Sequence, residues 1–296
     1  MLVVCFGDGL GNQMFQYAFY KELIYKYSQN RVYADICNFY GSVNNHNGYE
    51  LDKVFNIQLP ECSKYKAMEL ADYHGLGNKK HPVLNRIFGL RLVVYGRKRS
   101  FISVDDPTEF YEEIFHLNPL DSYMLRGNWI NENYFRDVKA QLYRDFVFPP
   151  IVDEINLKLA NKIKDNYSVS LHIRRGDYIT TGVTNLNTDY YIKAIEMVKD
   201  KIHHHMHFFV FSDDIVYCRQ MLQSLSNVTF VNANKGENSF RDMQLMSLCQ
   251  HNIIANSTFS YWGAYLNQNR EKIVIAPQIG MKSYHNPIAC SDWILI

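Results

Sequence analysis

The sequence predicts an α/β protein of two units, each built from strands that alternate with helices. Short apolar runs such as Val228 to Val231 recur along the 296 residues, and apolar side chains at helical spacing separate them. Tyr167 to Ile173 alternates apolar and polar side chains, which indicates a half-buried strand. Phe148-Pro149-Pro150 interrupts the pattern, because consecutive prolines stop both a helix and a central strand. We therefore expect parallel sheets in units spanning residues 1–148 and 149–296.

The first unit has three predicted strands and two predicted helices. The strands are Leu2 to Phe6, Arg31 to Ile36 and Ser122 to Arg126. The helices are Asn12 to Tyr27 and Asn131 to Asp145. A glycine-rich turn from Gly7 to Gly11 joins the first strand to the first helix. The pattern between residues 37 and 99 is irregular and assigns no element.

The second unit has five predicted strands and four predicted helices. The strands are Tyr167 to Ile173, His207 to Phe211, Val228 to Val231, Asn252 to Asn256 and Lys272 to Ala276. The helices begin at about residue 188, at residues 212–214, at residue 239 and at residue 257, and the last three end near residues 225, 250 and 267. We expect Ser212-Asp213-Asp214 to cap the second helix, and Ser239-Phe240-Arg241-Asp242 to open the third as a capping box.

Composition excludes several classes of protein. Lys and Arg number 31 against 30 Asp and Glu, so the net charge of +1 argues against a nucleic-acid-binding protein. Hydrophobic residues make up 47%, which is enough for a sizeable core. The six cysteines form no C-x-x-C pair and are typical of buried free thiols in a reducing compartment. Without a signal-peptide pattern or a long apolar run, we expect a cytoplasmic protein.

Two adjacent arginines, Arg174 and Arg175, follow the strand that ends at Ile173. Open α/β sheets bind ligands at the carboxyl ends of their strands. Guanidinium groups are permanently charged and suit bidentate contact with phosphate. A surface pair bound to nearby carboxylates is the plain alternative, but it does not explain the adjacent Gly176 and Asp177. We predict an anion site here.

A second candidate site is the turn from Asn256 through Ser257 and Thr258 to Phe259. It joins a predicted strand to a helix, so free backbone N–H groups and two hydroxyls meet at one point. An ordinary N-cap is the alternative, and a cap with spare hydrogen bonds for phosphate satisfies both interpretations. Since this turn and Arg174 share one sheet edge, we expect them to converge on one diphosphate.

The glycine-rich turn is a third candidate site. A dinucleotide fingerprint would need glycine at position 12, which is Asn12. The glycines alone fit a strand-to-helix turn. Asn12 and Gln13 are amides that suit hydrogen bonds to sugar hydroxyls, and together with Asp8 and Gly11 they form the predicted acceptor side.

Two further clusters resemble metal sites. Asp213 and Asp214 are adjacent rather than spaced as D-x-D, so we predict capping and contact with a base or ribose, without a metal. The histidine-rich run from 203 to 207 lies where a helix end leads into a strand. Histidine is favoured there by the helix dipole, so no metal site is predicted.

Four motifs together carry a resemblance to a known family. They are Gly-Leu-Gly-Asn-Gln-Met-Phe-Gln-Tyr-Ala at 9–18, His-Ile-Arg-Arg-Gly-Asp-Tyr at 172–178, Phe-Ser-Asp-Asp at 211–214 and Asn-Ser-Thr-Phe-Ser-Tyr-Trp at 256–262. The chain resembles the α-1,2-fucosyltransferases of glycosyltransferase family 11 from its N-terminus to about residue 266, except between about 40 and 120.

The resemblance implies a GT-B-type fold, in which two Rossmann-like domains face a central cleft. The second domain would bind GDP-β-L-fucose, and the first would help to bind a galactose-terminated oligosaccharide. It also implies transfer to the galactose 2-hydroxyl with inversion and without a required metal or other cofactor. A lipid-linked glycan acceptor would bring the protein to a membrane surface as a peripheral protein.

On this basis we assign roles to the candidate residues. Arg174 contacts the diphosphate together with Ser257 and Thr258, and Arg175 anchors its loop or shares the phosphate. The donor-binding set is completed by His172, Ser212, Asp213, Asp214, Asn256 and Phe259. Asp177 and Asp8 are both candidates for the base that activates the acceptor. Two alternatives are a GT-B transferase with another nucleotide sugar or linkage, and a non-catalytic protein that binds glycans or nucleotide sugars.

Overall fold

Two parallel β-sheets, one in each half of the chain, organise the protein. The computed structural model describes residues 1–28, 31–40, 46–70, 100–175, 186–280 and 284–296. The described strands are β1 Leu2–Cys5, β2 Val32–Asp35, β3 Phe101–Ser103, β4 Tyr123–Arg126, β5 Tyr167–Ile173, β6 Met206–Ser212, β7 Val228–Val231, β8 His251–Ile253, β9 Val274–Ala276 and β10 Ile294–Leu295. The described helices are α1 Leu10–Tyr27, α2 Leu51–Phe55, α3 Lys64–Leu70, α4 Lys139–Asp145, α5 Glu154–Lys164, α6 Thr188–Lys201, α7 Ile215–Met221, α8 Phe240–Leu248 and α9 Thr258–Tyr265. The predicted α/β class is confirmed.

The order of strands places a crevice in each sheet. The first sheet has the order β2-β1-β4-β3, and the second has the order β10-β9-β8-β5-β6-β7. Chain order reverses beside β1 in the first sheet and beside β5 in the second. Ligands of open α/β sheets bind outside the carboxyl ends of the strands at such reversals. The segments that follow β1, β4, β5 and β8 are therefore the ones to examine for function.

One aromatic core joins the two halves. Helix α1 packs against α9, where the ring of Phe15 lies 4.7 Å from that of Tyr261 and 4.9 Å from that of Trp262. The indole Nε1 of Trp262 donates to the backbone oxygen of Gly11 at 2.9 Å. Because this core includes residues from 2 to 293, the two sheets hold fixed positions on either side of it. The proposed division at 148/149 falls between the last strand of the first sheet and the first strand of the second.

The connection at Pro149 and Pro150 is held by the second half. Arg241 is buried and donates to the backbone oxygens of both prolines, at 2.8 and 3.0 Å. Gln244 adds a bond to the oxygen of Pro149 at 3.1 Å. The linker is therefore fastened to α8 through its carbonyl groups, which proline retains although it lacks an N–H.

Several predicted elements are wrong in detail. The helix predicted over 131–145 is a 3₁₀ turn, Glu132–Phe135, followed by α4. The Asn131 side chain caps this turn by accepting from the Asn133 N–H, and the turn buries Tyr134 and Phe135. The helix that starts after Asp214 ends at residue 221 rather than 225. Strand β5 was predicted to be half-buried, but its polar side chains Ser168, Ser170 and His172 are buried as well, because both faces of the sheet are covered. Strands β3 and β10 and helices α2, α3 and α5 were not predicted.

The predicted capping box at Ser239 is also wrong. The Ser239 backbone is already helical, with φ −58° and ψ −28°, and its side chain makes no capping bond. Its hydroxyl instead accepts from the Asn47 amide at 3.3 Å. A hydrogen bond between the two halves of the chain therefore replaces the predicted capping bond within the helix.

The thiols are free as expected. None of the six cysteines is in a disulfide, and five of them are buried, whereas Cys37 is exposed. No helix among the described residues combines the length and the apolar character that crossing a membrane requires.

Candidate functional site

Two cavities open at the carboxyl edges of the sheets. The larger has a volume of about 800 Å³ and lies between the halves. Its lining includes residues of the glycine-rich turn, the ends of β5 and β6 and the start of α9, namely Gly9, Gly11, Asn12, His172, Arg174, Ser212, Asp213, Asp214, Ser257, Thr258 and Phe259. The smaller has a volume of about 340 Å³ and lies at the edge of the first sheet. The sequence motifs therefore meet, as predicted, in one cleft.

Arg174 lies in the larger cavity directly after β5. Its Nη1 is 3.0 Å from the Oδ2 of Asp213, which follows the neighbouring strand β6. The Arg174 side chain keeps 34% of its surface exposed to the cavity and solvent. Asp213 therefore fixes the direction of a guanidinium that remains accessible to an anion.

Arg175 points elsewhere. Its guanidinium stacks on the Tyr217 ring, with the Cζ atom 3.6 Å from the ring centroid, and its Nε is 3.4 Å from the Oδ2 of Asp214. Its backbone N–H donates to the Oδ1 of Asp213 at 2.9 Å. Arg175 does not line the larger cavity. Of the two roles predicted for it, these contacts match the anchoring of the loop.

Asp213 and Asp214 serve the arginines and the helix start. The Oδ1 of Asp214 caps α7 by accepting from the Tyr217 N–H at 3.0 Å, which matches the predicted cap. The Ser212 hydroxyl accepts from the Asp214 N–H at 3.0 Å. Both carboxylates therefore hold the two arginines in place, and contact with a base or ribose stays a prediction.

The turn before α9 presents its hydroxyls to the cavity. Ser257 is the N-cap residue of α9, but its side chain makes no capping bond. Ser257 and Thr258 line the larger cavity together with Phe259, whereas Asn256 is buried and does not. The ordinary cap, which was the alternative interpretation, is therefore absent, and Arg174 and the N-terminus of α9 line the same cavity, where the helix dipole favours an anion.

His172 is buried on β5 at the wall of the same cavity. Burial, reinforced by the Arg174 charge, lowers the pKa of His172 to about 3. Its Nδ1 is buried and has no hydrogen-bond partner among the described residues. The ring is therefore neutral and does not titrate near neutral pH.

The unfolding free energy should fall as the pH drops below 6.5. The unfolded chain then takes up a proton on His172, while the folded chain does so only near pH 3. The stability is present above 6.5 and is lost at about 1.4 kcal/mol per pH unit below it. Urea unfolding at pH 7 and pH 5 should show a smaller drop for His172→Gln than for the wild type. An equal drop in the two proteins would show that the His172 side chain is exposed to water in the folded protein.

The predicted residues of the glycine-rich turn serve two functions: some line the larger cavity, and one holds the neighbouring loop in place. Gly11 lines the larger cavity and packs against α9, and Asn12 donates to the Oδ2 of Asp8 at 3.2 Å. Gln13 is fully buried. Its amide donates to the backbone oxygens of Asp8 and Gly48, at 2.8 and 2.9 Å, and accepts from the Glu50 N–H. Gln13 lines neither cavity, so its observed contacts hold the loop rather than reach a sugar.

Asp242 is a cleft residue that the sequence reading missed. Burial raises the pKa of its carboxyl to about 7, and a bond from Asn234 at 2.7 Å partly opposes this shift. Asn234 is fixed in turn by a reciprocal amide pair with Asn156, at 2.8 and 2.9 Å. Asp242 was interpreted as part of a capping box, and only the three-dimensional contact with Asn234 distinguishes it.

Asp177, the other predicted base, lies outside the described residues, as do Gly176 and Tyr178. Within the described residues, one group has the geometry of a metal site: Asp106, Glu109 and His285. His285 Nδ1 lies 2.9 Å from Asp106 Oδ2 and 3.4 Å from Glu109 Oε1, so an imidazole between two carboxylates also accounts for it. None of the three lines the larger cavity.

Comparison with known proteins places these features in a family. The model of Glycosyl transferase family 11 matches residues 106–296. The O-antigen biosynthesis glycosyltransferase WbnK of Escherichia coli is 33% identical, covering 93% of each chain. The alpha-1,2-colitosyltransferase of Escherichia coli is 34% identical, covering 94% of this chain and 91% of the relative. The galactoside 2-alpha-L-fucosyltransferase SEC1 of Bos taurus is 26% identical over 53% of this chain and 46% of the relative.

Solved structures agree on the architecture. The crystal structure of NodZ alpha-1,6-fucosyltransferase soaked with GDP-fucose matches with a TM-score of 0.51 at 13% identity, covering 90% of this chain and 92% of that chain. A crystal structure of NodZ co-crystallised with GDP also matches at 0.51. With two parallel sheets facing one cleft, the expected GT-B-type fold is confirmed.

Proposed function

Because the chain belongs to glycosyltransferase family 11, we propose that it transfers L-fucose from GDP-β-L-fucose to the 2-hydroxyl of a terminal galactose. The transfer inverts the configuration at the sugar and requires no metal. The galactose ends an oligosaccharide or a glycan. A family relative named for O-antigen biosynthesis supports an acceptor of that kind, which in lipid-linked form would bring a cytoplasmic enzyme to the membrane surface.

The observation that carries this proposal is the pairing of Arg174 with the N-terminus of α9 across a cleft of about 800 Å³. As the bond from sugar to diphosphate breaks, negative charge accumulates on the leaving diphosphate. Fixed donors stabilise developing charge best when they are already in position. Asp213 orients Arg174, and Arg175 holds Asp213 through its backbone, so this chain supplies such donors from its own residues.

We assign recognition of the guanine base to Asp242. Guanine presents adjacent N–H donors on its pairing edge, which a carboxylate accepts and which uracil does not offer in the same arrangement. Asp242 lines the cleft together with Asn234 and Val216, and Val216 is 70% exposed. An exposed apolar side chain and a half-buried carboxyl in one cleft suit a flat base with polar edges.

Affinity for GDP should therefore depend on pH through Asp242. Its pKa is about 7, so GDP binding to the charged carboxylate weakens as the pH falls below 7, by up to about tenfold per pH unit. Calorimetric titration of GDP from pH 5.5 to 8 should show this slope in the wild type. Asp242→Asn should flatten it and reduce the preference for GDP over UDP. An unchanged slope in Asp242→Asn would assign the titration to another group.

A transfer assay in EDTA tests the function as a whole. We expect fucose to pass from GDP-fucose to a galactose-terminated disaccharide. GDP-colitose is the donor to compare first, because the named colitosyltransferase is a 34% identical relative. GDP-mannose and UDP-galactose test other nucleotide sugars. Binding of GDP-fucose without transfer to any acceptor would favour a non-catalytic binding protein, and no binding at all would contradict the proposed function.

A further inference from the structure

We propose that the smaller cavity is the acceptor subsite, and that Asp8 takes the proton from the attacking hydroxyl. This inference rests on the proposed function. The cavity of about 340 Å³ lies beside the carboxyl end of β1, where the strand order of the first sheet reverses. The smaller cavity therefore occupies the same place at the first sheet that the larger cavity occupies at the second, namely the carboxyl end of the strand where the order reverses.

The lining of this cavity suits a sugar rather than an apolar ligand. Asp8, Asn38, Asp105, Arg126 and Asn128 contribute carboxylate, amide and guanidinium groups to a volume that holds one or two sugar rings. Arg126 is exposed there, and no described residue binds its guanidinium. Such groups match the alternating donors and acceptors of sugar hydroxyls.

Asp8 is held in a fixed and unusual conformation. Its φ of 62° lies in the left-handed region, which costs a residue other than glycine on the order of 1 kcal/mol or more. The amides of Asn12 and Asn128 both donate to its Oδ2 at 3.2 Å. No described residue donates to its Oδ1. One carboxylate oxygen is thus fixed from two sides, and Asp8 lines the smaller cavity.

The support for Asp8 extends into the core. Asn128 accepts from the Nε2 of Gln16 at 2.8 Å, and Gln16 is buried in α1. The Oε1 of Gln16 accepts from the Gly7 N–H at 3.0 Å, next to Asp8. A buried amide therefore ties the segment after β1 to the segment after β4, which is the arrangement that positions a reacting group.

The two cavities meet at Asp8. Tyr284 lines both of them, and Asn12 lines the larger cavity while donating to Asp8 in the smaller one. A group transferred from the larger cavity to the smaller must pass this boundary. Asp8 stands there, on the opposite side of the boundary from Arg174 and α9.

In the transfer step, the donor sugar exchanges its bond to the diphosphate for a bond to the acceptor, and residues of both cavities take part. The acceptor hydroxyl oxygen forms a bond to C1 of the donor sugar as the bond from C1 to the diphosphate oxygen breaks. The electron pair of that bond leaves with GDP, where Arg174 and α9 stabilise it. The hydroxyl proton passes to the Asp8 carboxylate, which makes Asp8 a catalytic residue in this reaction.

Asp8→Asn tests the base. Asparagine tolerates the left-handed backbone and keeps an oxygen for Asn12 and Asn128, but it takes up no proton. We expect kcat to fall by about 100-fold or more, while the GDP Kd and the donor KM stay within about threefold. The variant Asp105→Asn removes the same charge from the same cavity, so it should raise the acceptor KM while kcat falls less than tenfold. A kcat within threefold of the wild type, or equal losses in both variants, would overturn the assignment of Asp8.

Arg126→Gln tests the subsite. We expect the acceptor KM to rise by about tenfold, as for the loss of one charged hydrogen bond, with the GDP Kd unchanged. An unchanged acceptor KM would place the acceptor elsewhere. If the wild type binds no GDP-fucose and transfers nothing, the proposed function fails. If the wild type transfers fucose, and Asp8→Asn and Arg126→Gln transfer it at the wild-type rate, the proposed function stands and the roles of Asp8 and the smaller cavity are wrong.

Discussion

Arg174→Ala is expected to reduce fucose transfer by at least about 100-fold, mainly in kcat. The guanidinium faces the larger cavity with its direction set by Asp213. Removing one preorganised donor from a developing negative charge typically costs a factor of about 100 to 1000. Because the interaction strengthens as the diphosphate gains charge, affinity for GDP-fucose should fall less than kcat.

Two further variants separate the causes of this loss. Arg174→Lys keeps the charge without the planar fork and should recover only part of the rate. The double variant Arg174→Ala/Asp213→Asn removes the carboxylate that the single variant leaves without its guanidinium partner. Recovery in the double variant would show that the unpaired Asp213, rather than the lost donor, caused the defect.

Arg175→Ala is the matched neighbour. Its guanidinium stacks on Tyr217 and pairs with Asp214, outside the larger cavity. We expect lower stability with a smaller loss of kcat than for Arg174→Ala. If Arg174→Ala and Arg175→Ala lost kcat equally and both unfolded normally, Arg175 would contact the phosphate rather than anchor the loop. Steady-state kinetics and thermal unfolding together decide between these outcomes.

The sequence was sufficient for the strands that carry the site. Strand β5 and the turn before α9 stand where the patterns placed them, because their apolar periods and the residues that end them are local features. Arg174, Ser257 and Thr258 were therefore brought to one edge correctly. The order of strands, which makes β5 and β8 neighbours, follows from long-range pairing.

What escaped prediction depends on contacts between distant residues. Asp242 reads as part of a local cap, but Asn234 and Asn156 place it at a cleft wall. Gln13 reads as a ligand amide, but Gly48 and Glu50 use its donors and acceptor. Polar side chains are satisfied by whatever the fold brings near them, and no local period encodes that.

The glycine-rich turn shows why a sequence motif can mislead. Its glycines resemble a nucleotide-binding loop, but Gly11 is required by a packing contact between the halves. A Cβ added at Gly11 would lie 2.7 Å from the Phe259 nitrogen and from the Thr258 carbonyl carbon. Both are backbone atoms, so no side-chain rotation relieves the clash.

Gly11→Ala should therefore destabilise the protein and weaken donor binding together. Overpacking costs about 1–3 kcal/mol, and the gain in helix propensity offsets at most about 1 kcal/mol of it. To relieve the clash, α9 must move away from α1, and Ser257 and Thr258 move with it. We expect a lower Tm and a GDP affinity reduced about tenfold or more, because a displacement near 1 Å disrupts a preorganised site.

Gly9→Ala is the control for this prediction. Gly9 lines the same cavity with extended backbone, and its added Cβ would lie 3.3 Å from the His46 ring, a side chain that can shift. We expect a Tm close to that of the wild type. If Gly11→Ala were as stable as Gly9→Ala and bound GDP normally, the contact between α1 and α9 would not set the geometry of the cleft. A defect confined to Gly11→Ala would show that the same packing contact joins the two halves and positions the anion site.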